Sequence, residues 1–310
     1  MTPIIITDNE NPDLDGTACI YAYTEFLKTQ GESPLGAIYG TPQREALFVL
    51  DCFKVSPLPI ADQLVTPQSQ VILVDTSVLR TIAAEQINPT QVIEIIDHRQ
   101  FNHAESFPSA KVQIERVGAA ATLIAEKFQA VKIKPTYESA GLLYSAIISN
   151  TVNFKNNVTT DRDRAMATWL KAGLNLPEDY IDQMFTAKSK LNGTLEEVIR
   201  SDVALNELGG KRFGIAQQEI VQAKNFIEDN KDELHRILQT IKKEKLLDHI
   251  FLSCIDVLEG KNYFFFIDPE TEALTTRIYN QHGHPIMMRK EIFPAIKQAV
   301  EKDPAKQNQA

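Results

Sequence analysis

The chain reads as an α/β protein, with an N-terminal domain built on a mainly parallel sheet flanked by helices and a smaller, mixed α/β C-terminal domain. Three observations lead there. Short runs of near-continuous Val and Ile alternate with helical patterns through the first half, as strands buried on both faces of a parallel sheet do. Three of those runs end in acidic residues: Asp8 and then Asp13 after the first, Asp75 after the second, and Asp97-His98 after the third. Near residue 186 the pattern changes to a linker and a newly capped helix, the mark of a second domain.

The elements follow in order. Ile4-Ile5-Ile6 predicts a strand, and Gly16 to Lys28 a helix with Tyr21, Phe26 and Leu27 available for packing. Gln70 to Val74 predicts a second buried strand and Gln91 to Ile96 a third. Gly118 to Gln129 and Glu138 to Ile148 are helical patterns. TAKSKLNGTLEEVIRSD, from Thr186, reads as a linker and then a helix capped by Thr194, with Glu196 and Glu197 in its first turn. Beyond it come Phe213 to Ala216, one long charged helix from about Val221 to Lys245, and strands at Asp248–Val257 and Tyr263–Ile267. The expected domains are 1–187 and 194–310.

Composition bounds the function. A hydrophobic fraction of 43% over 310 residues is ample for a core. No apolar run approaches the roughly 20 residues of a membrane helix, and no basic-then-apolar leader opens the chain, so neither a membrane partner nor secretion is expected. Cys19, Cys52 and Cys254 are odd in number, far apart and without a CxxC pair, as free thiols of a cytoplasmic protein would be. A net charge of −9 argues against broad binding to nucleic acid. A small anionic substrate stays open, because a cation or a local basic cluster reverses the field inside one cleft.

The acidic strand ends carry the chemistry, since ligands of open α/β sheets sit beyond the carboxyl ends of the strands. NPDLDG places Asp13 and Asp15 at i and i+2 beside a helix start. That is turn chemistry in which Asp15 caps a helix from Gly16, and equally two hard oxygen ligands suited to Mg²⁺ or Mn²⁺. VDTS gives Asp75, either a cap or a ligand. IDHRQ sets His98 beside Asp97, where a ring nitrogen suits Mn²⁺ and a carboxylate can orient the ring; His103 reads as a surface histidine. In SAIISNTVNFKNNVTTDRDR, Asn150 ends an apolar helix, Lys155 follows, and Thr160 caps the next helix with Asp161 and Asp163 in its first turn. Arg277, His282, His284, Arg289 and Lys290 form a basic group that reads as solvated surface or as a phosphate grip.

VILVD at 71–75, IEIIDH at 93–98, ERVGAAATLI at 115–124, AGLLYSAIIS at 140–149, LEEVIRSD at 195–202, GIAQ at 214–217 and the Arg289-Lys290 pair before EIFP together resemble the DHH phosphoesterase superfamily. The chain is most similar there to the manganese-dependent family II inorganic pyrophosphatases and their exopolyphosphatase relatives. The resemblance covers nearly the whole chain and makes 1–187 a DHH domain and 194–310 a substrate-binding domain that closes over the cleft. It implies a metal set of Asn9, Asp13, Asp15, Asp75, His98 and Asn150, holding one or two Mn²⁺ or Mg²⁺ ions, with Asp75 shared between metals and Asp97 supporting His98. Asp97, His98 and Arg99 would be catalytic. Arg99, Lys155, Arg289 and Lys290 would grip a small phosphorylated substrate, pyrophosphate or short polyphosphate, hydrolysed by metal-activated water. A homodimer through the N-terminal sheet is implied as well.

The chain departs from the family pattern where Asn9 replaces histidine, Asn150 replaces aspartate, Arg99 replaces the second histidine of the DHH triplet and Ala204 replaces a lysine. A catalytically weakened homologue that binds or senses a phosphorylated ligand is therefore a second reading. A phosphodiesterase acting on short oligonucleotides or cyclic dinucleotides is a third.

Overall fold

The apolar runs of the first half pair into one sheet in a computed structural model that describes residues 2–80, 82–99, 103–191, 193–282 and 286–301. The first unit, Met1–Ala187, runs β1 (Ile4–Ile6), α1 (Leu14–Thr29), β2 (Leu35–Gly36), α2 (Arg44–Cys52), β3 (Val71–Val74), α3 (Ile82–Gln86), β4 (Val92–Asp97), β5 (Lys111–Ile114), α4 (Ala120–Ala130), α5 (Tyr137–Asn150), α6 (Asp161–Lys171) and α7 (Tyr180–Lys188). The strand order is β2-β1-β3-β4-β5 and every pairing is parallel. All carboxyl ends therefore emerge on one edge, which brings the residues after β1, β3 and β4 together. Ile4, Ile6, Val71, Leu73, Val92 and Ile95 fill one buried layer, while Ile5, Ile72 and Ile96 are buried on the alternate positions.

Two local details differ from expectation and bear on the site. The first helix starts at Leu14 because Asp13, not Asp15, is its cap: Asp13 Oδ1 accepts from the Gly16 N–H at 2.9 Å. Asp15 is thereby moved into the first helical turn and fully buried. Strand β5 is half-exposed, with Val112 open to solvent, so it lacks the apolar run that revealed the other strands.

The second unit, Lys188–Ala310, contains α8 (Leu195–Ser201), β6 (Ala204–Leu208), β7 (Lys211–Ile220), α9 (Ala223–Asp229), α10 (Lys231–Glu244), β8 (His249–Asp256), β9 (Lys261–Phe266), α11 (Pro269–His282) and α12 (Arg289–Glu301). Thr194 caps α8 in a reciprocal box with Glu197. The sheet order is β6-β7-β8-β9, with the central β7–β8 pair parallel and the outer pairs antiparallel. The expected long charged helix is two helices, because Asn230 leaves helical geometry and its Nδ2 donates to the Phe226 carbonyl at 2.8 Å, closing α9. Leu234, Ile237, Leu238 and Ile241 of α10 form the i, i+3, i+4, i+7 stripe that packs on one face of this sheet. Phe213, Ile215 and Phe251 meet Ile278, Ile292 and Ile296 of α11 and α12 on the other. Among the described residues no helix is long and apolar enough to cross a membrane.

Candidate metal centre

Asp15, Asp75 and His98 come together at the carboxyl edge of the parallel sheet, each offering one ligand atom, all within 4.8 Å of one another. They arrive from three elements. Asp15 lies in the first turn of α1. Asp75 follows β3 in a left-handed conformation at φ 53°, a strained geometry for a non-glycine residue that recurs at functional sites. His98 follows β4.

The histidine is oriented by the backbone. His98 Nδ1 lies 3.0 Å from the Val117 carbonyl oxygen, which can only accept, so Nδ1 carries the proton and Nε2 turns to the carboxylates. Nε2 is 3.3 Å from Asp75 Oδ1 and 3.8 Å from Asp15 Oδ2. Asp97, expected to support this ring, turns elsewhere. Its Oδ2 accepts from the Ser77 hydroxyl at 2.7 Å and its Oδ1 from the His98 backbone N–H at 2.8 Å, so it fixes the strand-end loop and leaves the imidazole to Val117.

Asp15 is held by four donors. Oδ2 accepts from the Ala120 N–H at 2.8 Å and the Asn150 amide at 2.7 Å, and Oδ1 from the Ala121 N–H at 2.9 Å and the Cys19 thiol at 3.5 Å. Two of these donors are the first N–H groups of α4, where the helix field favours an anion. Burial and the neighbouring Asp75 charge nevertheless push the Asp15 carboxyl up to about 7, against the pull of His98. For Asp75 burial acts upward too, but Arg99 and His98 outweigh it and hold the carboxyl below the usual range. Burial would lower His98, yet its contacts with Asp75 and Asp15 raise it to about 9. Arg99, raised chiefly by Asp75, places its Nη2 3.4 Å from Asp75 Oδ2 with the guanidinium partly open to solvent.

A divalent cation fits the three ligands. A neutral His98 would aim a lone pair at Asp75 Oδ1, a buried oxygen to which no well-aligned donor is directed; a proton or a metal ion must lie there. At metal–ligand distances near 2.1 Å, octahedral neighbours stand about 3.0 Å apart in cis and about 4.2 Å in trans, which brackets the 3.3 and 3.8 Å separations. The donor set of two carboxylates and an imidazole suits Mn²⁺ or Mg²⁺.

The remaining expected residues take other places. Asp13 caps α1 and also lines a cleft of about 350 Å³ with Asn9, Asp75, Arg80, Arg99 and His103. Asn9 is exposed, and its Oδ1 accepts from the Asn11 N–H at 3.1 Å, an Asx turn. Asn150 presents its amide to Asp15 and thereby offers a donor where a ligand was expected. Lys155 is exposed, one residue beyond a left-handed turn through Val152, Asn153 and Phe154 at φ 49°, 49° and 65°. Arg289 ties α12 to its own sheet: its backbone N–H donates to Gln217 Oε1 at 2.7 Å, and its guanidinium pairs with Asp202 at 3.2 Å and with the Ile215 carbonyl. The side chain of Lys290 lies outside the described residues. Sequence reasoning missed Arg80 and the backbone groups of 117–121; the Gly-Ala run of ERVGAAATLI was the signal for the latter.

Comparison with known proteins gives two family models and a set of full-length relatives. Residues 3–147 match the DHH family, N-terminal domain, and residues 182–299 match the DHHA2 domain. A protein of Clostridium acetobutylicum named "Probable manganese-dependent inorganic pyrophosphatase" is 28% identical, over 96% of this chain and 98% of its own. One of the same name from Bacillus cytotoxicus is 30% identical over 90% of each chain. A crystal structure from Methanococcus jannaschii, titled "putative family II inorganic pyrophosphatase", aligns with a TM-score of 0.71 and 26% identity over 97% of this chain and all of that one.

Proposed function

This chain belongs to the DHH family of manganese-dependent inorganic pyrophosphatases, and from that membership we propose that it hydrolyses inorganic pyrophosphate with a divalent cation held by Asp15, Asp75 and His98. The observation that carries the reading is the convergence of Asp15, Asp75 and His98, with ligand atoms within 4.8 Å of one another and His98 Nε2 3.3 Å from Asp75 Oδ1 in a buried site. When bound, Mn²⁺ there supplies a double positive charge that polarises phosphate oxygens and acidifies water.

The chain's own residues do the rest. Val117 keeps His98 in the tautomer that leaves Nε2 free. Arg99 sits beside the ligand Asp75 with its guanidinium partly open to the cleft, so it can take two phosphate oxygens as a fork while offsetting charge that develops on them. Asp97 and Ser77 fix the loop that carries His98 and Arg99. Asp13 and Asn9 line the cleft as outer oxygen donors. The reading further takes the protein to be a cytoplasmic enzyme of small phosphorylated substrates.

The Asn150–Asp15 bond at 2.7 Å favours a second reading, a homologue that binds a phosphorylated ligand with weakened turnover, because an amide donor occupies the Asp15 oxygen that a cation would take. Phosphate release from pyrophosphate with added Mn²⁺ or Mg²⁺ separates the two. Turnover that disappears in Asp75→Asn supports hydrolysis. A wild type and an Asn150→Asp variant that both bind pyrophosphate without releasing phosphate would reject it.

A further inference from the structure

A buried carboxylate outside the ligand set reaches both Asp15 and His98 through one short segment. Asp163, on the first turn of α6, is fully buried. Its Oδ1 accepts from the Gly118 N–H at 3.0 Å and the Thr122 hydroxyl at 2.6 Å, and its Oδ2 from the Gly118 N–H at 2.9 Å and from the Thr160 N–H and hydroxyl, both at 2.7 Å. Part of this is a capping box with Thr160. The bonds to Gly118 and Thr122 are not required by capping.

The Gly118 N–H belongs to the same peptide unit as the Val117 carbonyl that holds His98 Nδ1 at 3.0 Å. Negative charge at the N–H end of a peptide polarises it and strengthens its oxygen as an acceptor. Two residues on, Ala120 and Ala121 give their N–H groups to Asp15, and the Thr122 hydroxyl returns to Asp163. The segment 117–122 is thus clamped at both ends by one carboxylate and touches a proposed metal ligand at each. Gly118 is required for the approach: a Cβ there would stand 2.5 Å from Thr151 Cγ2 and 3.0 Å from Asp163 Oδ2.

We propose that Asp163 is a positioning residue for the metal centre, setting the His98 ring through the Val117–Gly118 peptide and Asp15 through the start of α4. The inference rests on the metal-centre reading above, but the bonds it is argued from involve no metal, and it is tested first on metal-free protein.

The test uses the full chain and the variants Asp163→Asn, Thr160→Ala and Thr122→Val. Because the Gly118 N–H is shared by both Asp163 oxygens, an Asn amide opposes it in either orientation. In metal-free wild type at neutral pH, the His98 Nδ1–H is shielded by Val117 and gives a slowly exchanging proton resonance. D163N broadens it away and weakens Mn²⁺ binding, read by electron paramagnetic resonance of free Mn²⁺, by about 10- to 100-fold, the range for losing an outer partner of a metal ligand. T160A removes half the capping box and one hydroxyl donor to Asp163 Oδ2 but keeps the Gly118 and Thr122 bonds, so it lowers the melting temperature and moves both readouts less than D163N does. T122V keeps the cap, shifts the His98 resonance and weakens Mn²⁺ several-fold, which tests the idea even if D163N does not fold. An unmoved His98 proton in folded D163N, or in T122V where D163N does not fold, overturns it, as does a T160A effect equal to that of D163N. Failure of wild type to bind Mn²⁺ would instead strike the metal reading, and the proton resonance would still decide on Asp163.

Discussion

Asn150→Asp exchanges the amide that donates to Asp15 Oδ2 at 2.7 Å for a second carboxylate oxygen at that distance. At an effective dielectric near 20, two charges at this separation repel by about 6 kcal/mol, so the metal-free variant retains a shared proton instead, as buried carboxylate pairs do. Asp15 already titrates at about 7 in the wild type, through burial and then Asp75. The sign follows from proton counts. Below pH 7 both native proteins hold one proton at Asp15 and the unfolded chains release theirs near pH 4, so the variant loses chiefly a hydrogen bond, about 1 kcal/mol. Above pH 7 wild-type Asp15 ionises and the variant pair does not. The variant's native state then binds one extra proton, and its stability relative to wild type falls by about 1.4 kcal/mol per pH unit.

The unit that holds the site spans Met1–Ala187. For a unit of 150–250 residues each kcal/mol moves the melting temperature by about 2–4 °C, so the gap between variant and wild type widens by roughly 3–6 °C from pH 8 to pH 9. Mn²⁺ reverses the order, because the new carboxylate is a hard anionic ligand and the ion displaces the shared proton. Differential scanning calorimetry at pH 6, 8 and 9, with chelator and with Mn²⁺, reads both effects. A metal-free variant that tracks the wild type across this pH range, or equal Mn²⁺ stabilisation of both, refutes the reasoning.

Three further outcomes are expected. Mn²⁺ affinity tightens as pH rises from 6 to 9, because the ion must displace the protons that His98 holds to about 9 and Asp15 to about 7; a dissociation constant independent of pH contradicts this. Arg99→Ala weakens inhibition by phosphate at least tenfold, roughly the loss of a charge-assisted hydrogen bond, while Mn²⁺ affinity does not fall and Arg99→Lys restores only part of the effect; equal loss of metal binding would make Arg99 structural. Metal analysis of the Mn²⁺-loaded protein finds one tightly held ion per chain, and two would refute the account of Asn150.

The sheet and the strand-end carboxylates were legible in the sequence because each strand is a short Val/Ile run closed by an aspartate, and a parallel topology gathers such ends on one edge. Asp15, Asp75 and His98 converge for that reason. What sequence could not show is how each carboxylate is shared out. Asp13 and Asp15 look interchangeable in NPDLDG, yet one caps α1 and the other is buried against α4, since the helix starts two residues earlier than the apolar pattern suggests. Asp97 and Val117 exchange the role of orienting His98, because a backbone carbonyl leaves no mark in residue identity. Asp163 was visible as a first-turn residue of the helix that Thr160 caps, but the strand, turn and helix that bring Gly118 to it are tertiary facts.

The substitutions at 99 and 150 form one change when the centre is considered as a charge distribution. In the family pattern, carboxylates at positions 13, 15, 75 and 150 with neutral imidazoles leave four negative charges, which two divalent ions neutralise. Here Asp13, Asp15 and Asp75 remain, Asn150 is neutral and Arg99 adds a fixed positive charge, leaving two negative charges with His98 neutral, and one divalent ion balances them. The geometry agrees with that count. The Asn150 amide sits on Asp15 Oδ2, itself 3.8 Å from His98 Nε2, and the Arg99 guanidinium sits 3.4 Å from Asp75 Oδ2, while Asp75 Oδ1 lies 3.3 Å from His98 Nε2. Asp75 Oδ2, turned away from His98, thus has its own protein donor, and the ligand atoms of Asp15, Asp75 and His98 gathered within 4.8 Å are those proposed for a single cation. On the proposed reading a second ion would have to compete with the Arg99 guanidinium at Asp75 Oδ2, and neither substitution alone would leave the remaining charges matched to one ion.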